Sequence, residues 1–178
     1  MMNSNLSIET ITADIWTKYR VSIMHLQAQS YEAGRQDSAE YFESLIKSER
    51  HVSLIALDNR QTAGYTFAAA LEVFDKTGGV CDDINLGKQN TLYSADVTVS
   101  KLYRNQGLGY ALKSQQIEQA RKYGYLYLSG RNRVGLAQAM WNMNLKFGAK
   151  EVCRIANAYT DGPMPREAIY YRINLHPN

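Results

Sequence analysis

Apolar residues recur at helical spacing from Ala13 to Ser30, with Trp16, Tyr19, Ile23 and Leu26 near one face; this predicts an amphipathic helix. Gly34 breaks the pattern. A second helix is predicted from Asp37, whose side chain caps it while Glu40 reaches back, with Tyr41, Leu45 and Ile46 turned inward. Val52 to Ala56 and Ala63 to Phe74 read as strands around the turn Asp58-Asn59-Arg60-Gln61, a hairpin by spacing. A first short strand is placed at Leu6 to Ile11. Asp75 to Asn90 is polar and carries Gly78, Gly79 and Gly87, so it reads as a loop. A strand at Tyr93 to Val99, a helix from Gly107 to Tyr123 ended by Gly124, and a strand at Tyr125 to Leu128 follow. A helix from Leu136 to Phe147 closes at Gly148, and strands at Lys150 to Tyr159 and Ala168 to Leu175 complete the set. The order β, α, α, β, β, β, α, β, α, β, β describes a mixed α/β domain with crossover helices late in the chain.

Composition bounds this picture without redirecting it. A chain of 178 residues suits one domain or two very small ones. It is long enough to bury about 70% of its extended surface. Cys81 and Cys153 are too few for a disulfide framework, no Cys/His cluster suggests zinc, and no stretch approaches the roughly 20 apolar residues of a membrane span. The opening Met1-Met2-Asn3-Ser4-Asn5 lacks the basic start and apolar run of a secretory signal, which predicts a cytoplasmic protein. The net charge of +3 is spread along the chain and matched locally by acids, as in Glu43, Lys47, Glu49 and Arg50. That is the pattern of a solvated surface and tells against a nucleic-acid partner. His25, His51 and His176 lie far apart without a Ser or Cys partner pattern, so no hydrolase triad is read. Cys81-Asp82-Asp83 reads as an exposed loop rather than a metal site.

The most informative stretch is Asp96-Val97-Thr98-Val99, then Ser100 to Tyr103, then Arg104-Asn105-Gln106-Gly107-Leu108-Gly109-Tyr110-Ala111-Leu112-Lys113. A β-branched strand runs through a short turn into a helix whose start contains two glycines. Glycine costs a helix interior up to about 1 kcal/mol relative to alanine. One reason to tolerate two is a ligand that must approach the backbone; another is a tight strand–helix connection. The helix start offers unsatisfied N–H groups and the positive end of the macrodipole, which suit a phosphate. Arg104 and Lys113 are expected to add charge there. No Walker A loop is present, and the dinucleotide fingerprint fails where Leu112 stands in place of its third small residue.

Arg104-Asn105-Gln106-Gly107-Leu108-Gly109 resembles the (Arg/Gln)-x-x-Gly-x-(Gly/Ala) signature of the GNAT superfamily of N-acetyltransferases. Val99 to Arg104 is similar to the family's Val-x-Pro-x-Tyr-Arg, with Lys101 in place of the common proline. Met140-Trp141-Asn142-Met143-Asn144-Leu145-Lys146-Phe147-Gly148-Ala149 resembles the family's fourth-helix ending. The good match covers residues 93 to 152, and the element order fits throughout. The resemblance implies a single domain over residues 1–178, with a mixed central sheet flanked by about four helices. It implies acetyl-CoA as donor and acetyl transfer to an amine. Backbone groups of Val97, Thr98 and Val99 would meet the pantetheine arm, and the amides from Asn105 to Tyr110, with Arg104 beside them, would cradle the pyrophosphate. Asn132, expected in the loop after the next strand, and Asn144 would also reach the cofactor. A homodimer is the family habit.

Transfer to an amine requires that the amine lose its proton, because a lysine-like ammonium with a pKa of about 10.4 has no lone pair. It also requires a donor for the developing oxyanion and a proton or charge for the leaving thiolate. Asp96, on the cofactor strand, is the first candidate base, with a surface or substrate-orienting carboxylate as its alternative reading. Glu72, at the end of an apolar strand, is the second candidate base and an acceptor contact. Many GNAT enzymes place a thiolate-protonating tyrosine where this chain has Asn144, and an amide cannot serve as that acid. Tyr103, Tyr110 and Tyr159 are possible stand-ins. Asn144 interrupts the apolar face of Leu136, Met140, Met143 and Phe147; it is either satisfied by a backbone carbonyl or bonded to a ligand. Tyr31, Glu32 and Arg35 lie between the first two helices, where family members shape the acceptor site. The expected acceptor is a small-molecule amine. A protein lysine or N-terminus, and a non-catalytic acyl-CoA-binding module, are the alternatives.

Overall fold

Strand β4, Thr91–Val99, is the backbone on which the candidate chemistry hangs, and the rest of the fold is best followed from it. A computed structural model describes residues 6–159 and 164–176. Before β4 come β1 (Leu6–Thr10), α1 (Ala13–Ser30), α2 (Ala39–Lys47), β2 (Leu54–Asp58) and β3 (Gln61–Ala70). After it come α3 (Leu108–Lys122), β5 (Tyr127–Arg133), α4 (Gln138–Lys146), β6 (Lys150–Ile155) and β7 (Ala168–Asn174). The sheet is mixed and seven-stranded, in the order β1-β2-β3-β4-β5-β7-β6. The strand predicted from Lys150 ends at Tyr159, and residues 160–163 beyond it lie outside those described.

The chain divides into two compact units. One holds the chain up to Ala69 together with Ala95–Gln119, and the other holds Ala70–Ser94 and the chain from Ala120 on. In the first unit β1, β2 and β3 run antiparallel, and Asn59 and Arg60 turn the β2–β3 hairpin with φ of 48° and 72°. Positive φ at both central residues is what a two-residue hairpin of right-twisted strands demands. Helix α1 spans the predicted residues, with Thr12 Oγ1 accepting from the Ile15 amide at 3.3 Å. Its Trp16, Tyr19, Ile23 and Leu26 are all buried. Helix α2 corrects two expectations. Its cap is Ser38, whose hydroxyl accepts from the Tyr41 amide at 3.1 Å, and not Asp37. Its buried residues are Phe42 and Leu45, because Phe42 stacks on Phe67 with ring centroids 4.1 Å apart, and Trp16 meets Phe67 edge-on at 6.0 Å. Helix α3 buries Leu108 and Leu112 against Leu54, Ala56 and Ala63, with Val99 and Tyr103 at the margin. A Cβ at Gly64 would lie 2.9 Å from the Thr98 carbonyl oxygen and 3.3 Å from Leu112, so only glycine lets these backbones and α3 approach so closely.

In the second unit β5 pairs in parallel with the start of β4 and antiparallel with β7, while β6 lies against β7. Leu71–Phe74 is a short 3₁₀ turn rather than the end of a strand, so Glu72 does not sit on a strand. Strand β5 lies later than its apolar residues suggested. Its polar half, Ser129 to Arg133, hides the strand from a hydrophobic pattern, and pairing with β7 fixes it instead. Asn132 is therefore in the strand and not in a following loop. Helix α4 starts at Gln138, leaving Leu136 exposed, and β6 ends at Ile155. The Asp75–Asn90 segment is irregular, but two carboxylates pin it. Glu72 Oε1 accepts from the amides of Gly87 (3.1 Å) and Gln89 (2.8 Å). Asp83, expected to be exposed, is buried, and accepts from Tyr170 Oη, from Arg172 Nη2 at 2.6 Å and from the Asn85 amide at 2.8 Å.

Candidate active site

Strand alternation puts Asp96 and Thr98 on one face of β4 and Val97 and Val99 on the other; the first pair is buried and the second half-buried. The pairing of β4 with β5 runs from Thr91↔Tyr127 to Ser94↔Gly130, and β4 continues from there to Val99. Asp96 is only 7% exposed, in a cluster contained within the first unit. Its Oδ1 accepts from Tyr31 Oη at 2.7 Å and from Thr98 Oγ1 at 3.1 Å, and its Oδ2 accepts from Tyr65 Oη at 3.0 Å. Burial raises the Asp96 carboxyl above the ordinary carboxylate range, and the three hydroxyls pull it back only in part. Both polar atoms of the buried Gln27 amide lack a hydrogen-bond partner among the described residues. Burial also raises Tyr31, first among its causes, followed by the charge of Asp96.

Tyr31 arrives from the segment that joins α1 to α2. The Arg35 guanidinium lies 5.2 Å from its ring centroid and pairs with Glu32 at 3.3 Å. Asp37, read from sequence as a helix cap, is instead a second carboxyl near Asp96. Burial pushes it up to about 6, the Asp96 charge adds to the rise, and Arg35 opposes it. Tyr65 and Gln27 went unread because an apolar strand and a helix face hide a polar tip. The signal that could have found Tyr65 is its place, 31 residues before Asp96, on the neighbouring strand face.

Beyond Val99 the chain passes through the 3₁₀ turn Lys101–Tyr103 into the glycine segment. Arg104 Nε donates to the Val99 carbonyl at 3.1 Å and Gln106 Nε2 to the Leu102 carbonyl at 2.7 Å, so both side chains brace the turn. Asn105 and Gly107 have φ of 60° and 86°. A Cβ at Gly107 would meet nothing within 4 Å. Conformation therefore requires this glycine, and the space above it is open. The first bond of α3 runs from the Ala111 amide to the Gly107 carbonyl at 3.0 Å, so the amides ahead of it point out of the helix start, where no acidic residue stands. Leu102, 80% exposed, and Tyr110, 49% exposed, flank the turn.

Three side chains expected to take part make contacts elsewhere. Lys113 does not add charge to this turn. It is 1% exposed and donates to Gln116 Oε1 at 2.9 Å, because its place on α3 faces inward. Burial lowers its ammonium to about 7. Tyr103 directs its hydroxyl to Asp58 Oδ2 at 3.0 Å, which ties the turn to the β2–β3 hairpin and raises the phenol. Glu72, as described, spends one carboxylate oxygen on the 87–89 backbone.

In the second unit, Asn144 Nδ2 donates to Asn132 Oδ1 at 2.8 Å, both residues being buried. Asn144 is thus satisfied by a side chain rather than a backbone carbonyl, and its Oδ1 has no hydrogen-bond partner among the described residues. Tyr159 lies beneath Arg133 (4.8 Å) and Arg131 (5.8 Å). Among the described residues, no group of three or more His, Cys, Asp and Glu could hold a metal, and no helix is long and apolar enough to cross a membrane.

The mixed seven-stranded sheet, with a strand that runs through a glycine turn into a helix start, agrees with the acyltransferase fold expected from the sequence. The Acetyltransferase (GNAT) family model matches residues 20–147, and the chain belongs to that family. No curated protein sequence matches it. Among solved structures, the ribosomal-protein-S18-alanine N-acetyltransferase of Escherichia coli superposes with a TM-score of 0.73 at 18% identity, covering 97% of this chain and 96% of that one. yncA from Salmonella typhimurium, solved with its cofactor acetyl-CoA, gives 0.73 at 15% identity over 98% and 96%. Aminoglycoside 6'-acetyltransferase type Ii gives 0.72 at 15% over 97% and 99%. At these identities the likeness is one of fold.

Proposed function

We propose that residues 1–178 act as one N-acetyltransferase domain that moves an acetyl group from acetyl-CoA directly to the primary amine of a small molecule. The observation that carries this reading is the run along one strand from a buried, hydroxyl-bonded carboxyl at Asp96 to an open anion cradle at residues 104–110. The residues fit the donor. The outward amides at the start of α3, the open space over Gly107 and the absence of an acid in the first turn all favour a pyrophosphate. Backbone groups of Val97, Thr98 and Val99 hold the pantetheine arm. In the second unit, the Asn144 Oδ1, which has no hydrogen-bond partner among the described residues, is left to accept a donor from a ligand. When bound, acetyl-CoA supplies an activated acetyl thioester.

Asp96 is the base. Its raised carboxyl makes it a stronger proton acceptor than a surface aspartate, and the hydroxyls around it favour its charged form. Asp37, Glu32 and Arg35 border the acceptor, and two carboxyls near one another favour a cationic amine. Glu72 and Tyr103 are left out of the chemistry: Glu72 Oε1 holds the 87–89 segment and the Tyr103 hydroxyl holds the hairpin.

Thiol release from acetyl-CoA, followed across amino acids, polyamines, aminoglycosides and peptides, tests this reading. Turnover with a small amine supports it. Turnover only with peptides moves the acceptor to a protein, and binding of CoA without turnover over the whole panel makes the chain an acyl-CoA-binding module.

A further inference from the structure

The base proposed above is out of reach of an acceptor. Asp96 is 7% exposed, and its two carboxylate oxygens are met by three hydroxyls, from Tyr31, Tyr65 and Thr98. Tyr65 is wholly buried and Thr98 nearly so. Both belong to the sheet, and neither opens a route to solvent. Tyr31 differs: it lies on the segment between α1 and α2, is half-buried rather than buried, and holds the shortest bond to the carboxylate, 2.7 Å. Thr98 Oγ1 also lies 3.1 Å from its oxygen, so the single threonine proton is shared between the phenol and the carboxylate. Arg35 lies over its ring, and Asp37 stands nearby on the same segment.

Resting on the reading of Asp96 as base, we infer that Tyr31 is a catalytic residue that passes the amine proton to Asp96, so that the acceptor touches the tyrosine and not the carboxylate. The transfer balances in two moves. The ammonium N–H bond breaks and its proton goes to the Tyr31 oxygen. The proton that Tyr31 already shares with Asp96 goes to Oδ1, leaving a neutral amine, an unchanged phenol and a carboxylic acid. The bond broken at Tyr31 is remade there, and no oxidant or further reactant enters.

The test uses the full chain and two nucleophiles: the fastest amine of the panel, which is protonated near neutral pH, and hydroxylamine, which is neutral there and has no such proton to give up. Tyr31→Phe is expected to lower kcat/KM for the protonated amine by about 10²-fold or more, in the range of proton-transfer contributions. Its loss with hydroxylamine should be at least about tenfold smaller, with the CoA-induced melting shift unchanged. Tyr31→Phe combined with Asp96→Asn should be no slower than the slower single variant, since both cut one path. Equal losses with both nucleophiles, or losses that multiply, overturn the relay and leave Tyr31 a structural hydroxyl. Should Tyr31→Phe fail to melt cooperatively, Tyr31→Leu, which also lacks a group that can carry a proton, gives the same comparison. If Asp96→Asn retains the wild-type rate, or no panel amine is acetylated, the base reading fails and the relay with it. If Asp96→Asn is slow while Tyr31→Phe is not, the relay alone fails.

Discussion

Asp96 shows how one side chain is prepared by its surroundings. Burial raises its carboxyl, and the hydroxyls of Tyr31, Tyr65 and Thr98 offset part of that rise. Asp96→Asn is expected to lower kcat/KM by about 10²-fold or more. Because the folded carboxyl titrates above the ordinary carboxylate range, wild-type activity should fall on acidification at a higher pH than a surface aspartate would give. The asparagine variant should lose that limb, and a pH–rate profile checks both. At the same scale, Asn144→Ala removes the donor to buried Asn132 and should cost about 1–3 kcal/mol, read as a lower melting temperature. Titration calorimetry with CoA shows whether affinity falls as well. Asp96 could be singled out in sequence because the resemblance makes its strand the cofactor strand and family members often carry an acid at that place. Asp37 was misassigned because Asp and Ser both cap helices and only backbone geometry chooses Ser38. Tyr65 and Gln27 look like any core positions until their partners are seen.

At the scale of elements, the turn from Arg104 to Tyr110 separates two uses of glycine. Gly107 stands at φ 86° with open space where a Cβ would be. Gly107→Ala should therefore cost about 1–2 kcal/mol of stability by backbone strain while keeping the CoA-induced melting shift. Gly107→Glu adds charge where phosphate belongs and should abolish the shift. Paired melts with and without CoA distinguish the two. Helices and hairpins were legible at this scale wherever apolar periodicity met a clear stop, as at α1 and at the Asn59–Arg60 turn. The second half of β5 was not, because Ser129, Arg131, Asn132 and Arg133 owe their strand to pairing with residues some 40 positions later. The 3₁₀ turn at Leu71–Phe74 was missed for a related reason: its apolar residues pack in a turn as readily as in a strand.

For the whole molecule, buried charge links stability to pH. Lys113 is lowered to about 7, whereas an unfolded lysine titrates near 10.4. Between those values the unfolded chain binds one more proton than the folded chain, so Lys113 makes stability rise with pH through that window and adds no slope below it. Denaturant titrations at pH values spanning the window should show a smaller rise for Lys113→Met than for wild type. The family and the sheet order were within reach of sequence because the signature hexapeptide and the element order agree. The acceptor was not, since it depends on which side chains the α1–α2 segment brings to Asp96.

The central claim, that the turn at residues 104–110 binds acetyl-CoA for transfer, meets its most direct test in a thermal melt of the wild-type chain with CoA. At about 100 times its dissociation constant, a ligand that binds only the folded state adds roughly 2.7 kcal/mol of apparent stability. The account predicts a melting temperature that climbs with CoA concentration. A melt indifferent to saturating CoA would contradict it.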